Sequence, residues 1–199
     1  MTSHSNEGDK YDRCLPKGSS DGGSERAIEL VLKGHEPYPA LAVDRHWNLV
    51  AANAALGPLL GGVVERRLLE PPVNVLRLSL HPEGLAPRIA NLVEWRAHLL
   101  DRLRRQAAVT GDPVLAELLQ ELSAYPVSDD LKALPTETRT DPGGIFVPLK
   151  LVTEVGLLSF ISTTTIFGTP RDITLSELAL EAFFPADPET AAIVRQLSA

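Results

Sequence analysis

The sequence predicts an α+β fold: one mixed, mainly antiparallel five-stranded sheet with helices covering one face. Three observations lead there. Residues 38–56 parse as strand, turn, strand and helix start. The middle of the chain then repeats its apolar residues at helical spacing, and from Val147 the period changes to strand alternation and a long β-branched run.

Taken in order, residues 1–23 are polar and small, ending in Lys-Gly-Ser-Ser-Asp-Gly-Gly. Such a stretch buries too little apolar surface to offset chain entropy and is expected to be a disordered tail, leaving 24–199 as the folded domain. Ser24 can cap a helix over Glu25 to Lys33. There Ala27, Ile28, Val31 and Leu32 fall at helical spacing, and Gly34 takes the position after the helix. Leu41 and Val43 begin a strand that ends at Asp44, a turn former. Leu49-Val50-Ala51-Ala52 returns, and Asn53 is expected to cap a helix over Ala54 to Leu60.

Val63 to Leu69 is read as a further helical piece, stopped by Pro71-Pro72. Asn74 is expected to cap a short helix through Leu80. Pro87 can open the next, running to about Ala107 with Ile89, Leu92, Val93, Leu99, Leu100 and Leu103 as its apolar stripe. Asp112-Pro113 starts another helix, whose buried stripe is Leu115, Leu118, Leu119 and Leu122. Val127 to Gly144 reads as loop.

Val147, Leu149 and Leu151 then alternate as a strand, and Leu157 to Phe167 suits a central strand covered on both faces. Thr174 to Phe184 fits two patterns. Thr174-x-x-Glu177 matches a helix capping box, whereas Leu178, Leu180, Ala182 and Phe184 alternate with Glu181 as a strand would. The sheet needs a further strand here, so strand is chosen. Asp187-Pro188 caps a last helix to about Leu197.

Bulk properties narrow the function. The chain has 199 residues and a formal charge of −7, which disfavours direct nucleic-acid binding by this chain. Aromatic residues make up 5%, too few for base-stacking platforms. Cys14 is the single cysteine, no signal peptide is visible, and no apolar run is long enough for a membrane span. A soluble, cytoplasmic protein without disulfides is expected, independent of any membrane. His4, His35, His46, His81 and His98 lack zinc-site spacing, and no hydrolase, phosphate-loop or dinucleotide motif occurs. No catalytic residues, no metal and no cofactor are expected; the chain does not read as an enzyme.

The hairpin running into a helix looks like the opening of a PAS-type sensor domain. The wording is closer to one family. His35-Glu36-Pro37-Tyr38-Pro39-Ala40-Leu41, Val43-Asp44-Arg45-His46-Trp47 and Val50-Ala51-Ala52-Asn53 resemble the MmyB-like ligand-binding domain. Asn74-Val75-Leu76-Arg77-Leu78, Asn91-Leu92-Val93-Glu94-Trp95-Arg96 and Leu157-Leu158-Ser159-Phe160 with Gly168-Thr169-Pro170 agree, in the same order. The resemblance covers roughly 26–199. It implies a PAS-like fold and the sensor half of a bacterial helix-turn-helix (XRE-type) transcription regulator. The short tail leaves no room for the DNA-binding half, so the chain is expected to be a truncated relative or to act without binding DNA.

A fatty acid is the ligand associated with that family, so the resemblance also implies an apolar small molecule. A carboxylate head would seek an arginine or a hydroxyl. Arg77, Arg96, Ser159 and Thr163 are the candidates for it, with Arg96 or His98 at the mouth of a cavity. Trp47 and Trp95 are candidate ligand contacts or core anchors. Two partner classes follow: an apolar ligand for a sensor, or a homodimer or intact regulator for an interaction module built on the helix at Glu25 to Lys33 or on the sheet.

Overall fold

The computed structural model describes residues 22–126, 147–166 and 178–197. The expected tail, apart from Gly22 and Gly23, therefore lies outside the described residues. So do the whole of the expected loop from Val127 to Gly144 and the capping-box segment at 174–177.

Five strands form one antiparallel sheet: β1 Ala40–Val43, β2 Leu49–Ala52, β3 Leu149–Thr153, β4 Gly156–Ile166 and β5 Ala179–Pro185, in the order β2-β1-β5-β4-β3. The expected α+β, PAS-like sheet is present. The last strand to be made lies at its centre. Leu41 pairs with Glu181 on one side of β5, and Thr164 with Glu181 on the other.

Helices α2 (Val75–Leu80), α3 (Leu92–Thr110) and α4 (Pro113–Ala124) cover one face. Their apolar stripes meet Leu41, Val43, Leu149, Leu151, Leu158 and Phe160 in the large core. Sequence chemistry places two helix starts well: Asn74 Oδ1 accepts from Arg77 N–H at 3.2 Å, and Asp112 Oδ1 accepts from Val114 N–H at 2.9 Å. Gly111 ends α3 with φ +65°, a conformation glycine adopts without strain. In α5 (Pro188–Leu197), Asp187 Oδ1 accepts from Thr190 N–H at 2.7 Å, as its capping role requires.

Helix α1 (Gly22–Gly34) lies on the opposite face. Ile28 and Leu32 pack there against Ala40, Ala42, Leu178, Leu180 and Ala182, a second and smaller core. The alternation of β1 and β5 divides the residues between the two cores.

Several expectations need correction. Ser24 and Gly34 lie inside α1 rather than flanking it, and β4 is not covered on both faces, since Leu157 and the stretch from Thr163 to Ile166 are exposed. Asn53 does not cap a helix: its amide is consumed elsewhere, and Ala54–Leu60 is a 3-10 helix with Pro58 inside it. Only Arg66–Leu69 of the piece from Val63 to Leu69 is helical, because Val64 and Glu65 donate their N–H groups to Glu83. The long helix starts at Leu92 rather than Pro87. Ile89 bridges to Leu151, and Asn91 spends its side chain on Pro148 O and Lys150 N–H, which ties this stretch to the edge of β3.

Candidate functional site

The β1–β2 turn is shaped by one carboxylate. Asp44 Oδ1 accepts from the N–H groups of His46 and Asn48, both at 2.8 Å, and this forces Trp47 to φ +68°. Such a conformation costs a non-glycine residue of order 1–3 kcal/mol. Burial of the indole, 5% exposed, offsets it, as does an Nε1–H bond of 2.8 Å to Gln106 Oε1 on α3. Gln106 Nε2 donates in turn to Arg45 O at 2.8 Å. Trp47 is thereby aimed under α3, with the Arg102 guanidinium 4.4 Å from its ring centre.

The sheet supplies the other half. On β4 the inward positions pass from Leu158 and Phe160 to Ser162 and Thr164; on β5 they are Ala179, Glu181 and Phe183. Glu181 therefore projects a carboxylate into the helix-covered face, where its side chain is 8% exposed. Arg102 Nη1 meets Glu181 Oε1 at 2.6 Å and Nη2 donates to Thr164 Oγ1 at 2.8 Å. Thr164 donates to Glu181 Oε1 at 2.9 Å. His98, one turn before Arg102, stacks on Trp95 with centres 5.7 Å apart. Burial, reinforced by the Arg102 charge, pushes its imidazole below the ordinary histidine value. Trp95 Nε1–H is satisfied by Ser79 Oγ at 3.0 Å.

The result is a polar island of Arg102, Glu181 and Thr164, flanked by Trp47 and His98, with Trp95 behind His98, beside the apolar floor of Leu158, Phe160 and Phe183. An arginine fork and a hydroxyl at the edge of such a floor are the materials of a small-molecule site. A model of the MmyB-like transcription regulator ligand binding domain matches residues 25–197.

The chain belongs to that family.

No curated protein sequence matches it. The MmyB-like domain is a ligand-sensing module of transcription regulators, so the inner face of its sheet is where the search for a ligand site begins.

The fold brings Trp47 and His98 to this island, with Trp95 stacked on His98, but not the other candidates. Arg77 grips Glu121 on α4: Nε donates to Oε1 at 2.9 Å and to Oε2 at 3.1 Å, and Nη2 donates to Oε2 at 2.7 Å. Arg96 Nη2 donates to Leu122 O at 3.1 Å and Ser123 O at 2.7 Å, closing the C-terminal end of α4. Its Nε is buried without a partner among the described residues. Ser159 and Thr163 have the outward parity on β4, one position either side of the inward set. The Ser159 backbone is engaged by Thr190 Oγ1 and Ala186 N–H.

The sequence shows Arg102 among the arginines of the long helix and Thr164 in the hydroxyl run from Ser159 to Thr165, but selects neither as a site residue, nor Glu181. A signal existed: Arg102 lies seven positions after Trp95 on one helix face, and Thr164 is the neighbour of Thr163 in a strand whose parity decides which side matters.

Away from this island, a concavity of about 520 Å³ lies at the surface, lined by Pro58, Leu59, Gly62, Val152, Val155 and Leu197 among others. Arg88 spans it, donating to Val152 O at 3.0 Å, Leu59 O at 3.1 Å and Gly61 O, and burial lowers its pKa. Its guanidinium ties the turn after Ala54–Leu60 to β3. Among the described residues no cluster of acidic, histidine and cysteine side chains could hold a metal ion. Nor is any described helix long and apolar enough to cross a membrane.

Proposed function

We infer that this domain senses a fatty acid or similar apolar acid for an XRE-type transcription regulator acting in the cytoplasm, with Arg102 as the head-group anchor. The DNA-binding half would come from a segment or partner outside residues 25–197. The observation that carries this reading is the inward Arg102–Glu181–Thr164 cluster beside an aliphatic and aromatic floor. A ligand carboxylate would offer Arg102 two oxygens, in place of the single Oε1 that Glu181 presents and the Thr164 hydroxyl beside it. The acyl tail would gain about 0.8 kcal/mol for each CH₂ it buries, so affinity would grow with chain length.

The test is native mass spectrometry of the purified protein with solvent extraction, followed by thermal-shift titration with saturated fatty acids of increasing length. A stoichiometric acid and a shift that grows with length support the reading. The double change Arg102→Gln with Glu181→Gln should abolish the shift and leave the fold intact. A clean unliganded mass with no shift across the series sinks it. The rival, an interaction module, draws on Leu30 and Val31 of α1, which are 65% and 37% exposed. A dimer in the same spectrum, with no ligand, would favour that rival.

A further inference from the structure

The polar island and helix α1 lie on opposite faces of one strand. In β5 Glu181 points inward to Arg102, while Leu180 and Ala182 point outward and form part of the bed under α1. Their cross-strand partners on β1, Ala42 and Ala40, complete that bed, and Leu41 faces Glu181 between them. A change in the pleat at Glu181 is therefore felt one residue away on the surface that seats α1.

That seat is shallow. Ile28 and Leu32, 4% and 2% exposed, are the fully buried members among the described side chains of α1, and they rest largely on alanines. Elements with few buried apolar contacts open more readily than the core. A second hold is polar. Asn53, 9% exposed, accepts from Ala40 N–H at 3.0 Å and donates to Leu32 O at 3.2 Å and Tyr38 O at 2.8 Å. It joins the end of α1, the start of β1 and the end of β2. The turn that follows it carries Leu59 into the large core. One side chain thus touches the junction of both cores.

We propose that α1 is the output element of the domain, seated by Asn53 and the outer face of β5, and that the Arg102–Glu181 pair sets how firmly it is seated. The proposal rests on the ligand reading above, since a carboxylate at Arg102 is what would displace Glu181. A buried carboxylate without its counter-ion must move or take a proton. Either response alters β5 at the centre of the sheet, where Leu180 and Ala182 carry the change outward. α1 then loosens as a unit while β3 and β4 hold.

Hydrogen exchange on the full chain tests this without a ligand. Glu181→Gln weakens the pair and Asn53→Ala removes the polar hold. Each is expected to speed exchange of the α1 amides about tenfold and leave β4 protected. Should Glu181→Gln unfold the domain, Thr164→Val removes the bridging hydroxyl at a more exposed site and is expected to act in the same direction, less strongly. If α1 exchanges as in the wild type in Glu181→Gln and in Thr164→Val, with β4 protected, the coupling is overturned. Dodecanoate added to the wild type separates the two claims. Failure to bind strikes the ligand reading alone, whereas binding that leaves α1 protection unchanged overturns the coupling.

Discussion

Among the described residues two arginine–glutamate pairs join neighbouring elements, and they are not equivalent. Arg77–Glu121 links α2 to α4 near the surface, with side chains 42% and 38% exposed. Arg102–Glu181 links α3 to the central strand, with side chains 25% and 8% exposed. The outer pair has the richer geometry, a two-pronged fork reinforced by Tyr125 O–H on Glu121 at 2.6 Å. The inner pair has the larger desolvation cost, which a pair of apolar side chains would avoid. A charge pair kept in such a place is weak evidence for stability and better evidence for a role. Location, more than bond count, separates a strut from a site.

The largest expected effect comes from breaking the inner pair on one side. Arg102→Ala leaves Glu181 nearly buried without a counter-charge and is expected to cost about 3 kcal/mol, the low end for a buried pair because Arg102 retains some solvent. Urea denaturation at neutral pH measures it. Replacing both partners, Arg102→Met with Glu181→Leu, should recover most of that loss or exceed wild-type stability, while fatty-acid binding disappears. A double variant as unstable as Arg102→Ala would show that the pair is a strut after all, and the contrast with Arg77–Glu121 would collapse.

Much of the fold could be read from the sequence because local chemistry and hydrophobic period agree in most elements. Asn74, Asp112-Pro113 and Asp187-Pro188 mark helix starts because one oxygen of each cap side chain accepts from an N–H two or three positions on, whatever its other atoms reach. Leu149, Leu151, Leu158 and Phe160 mark the inner sheet face by parity. Asn53 misled because an amide before an apolar run looks like a cap, whereas here its partners are Leu32, Tyr38 and Ala40, up to 21 positions away. Pro87 misled for a similar reason: Ile89 and Asn91 answer to β3, which the chain reaches only at Leu149.

The site was harder to see. The sequence offers Arg96 as a head-group candidate and not Arg102, because only the β5–β4 register brings Thr164 and Glu181 beneath the latter. The same register gives Thr163 and Ser159 the outward parity. Trp47 and Trp95 were legible as anchors, since a large indole in a short motif has few places to go.

The smaller effects lie with the outer pair. Arg77→Ala should cost no more than about 1 kcal/mol, since both partners are well solvated and the carboxylate keeps its bond from Tyr125. Ligand binding should be unchanged, which distinguishes it from any Arg102 variant. A loss of binding in Arg77→Ala at unchanged stability would move the anchor back to the candidate that the sequence first suggested.

Acid titration sharpens the comparison last. The hydrogen bonds from Arg77 hold the Glu121 carboxyl below its ordinary value of 4.5, with Tyr125 adding to the effect. The folded state thus favours the carboxylate. This contribution is complete above pH 4.5 and is lost as the pH falls below it, through the folded-state value. Asp112 behaves in the same direction, through its bond of 2.8 Å from His46 Nε2–H. Glu121→Gln should therefore flatten, without abolishing, the fall in urea midpoint between about pH 5 and about pH 3. The remaining slope belongs to Asp112 and other carboxylates and should shrink further in His46→Ala. An acid limb identical to wild type in Glu121→Gln would mean that the outer fork contributes nothing to folding, and is a surface contact that solvent replaces at no cost.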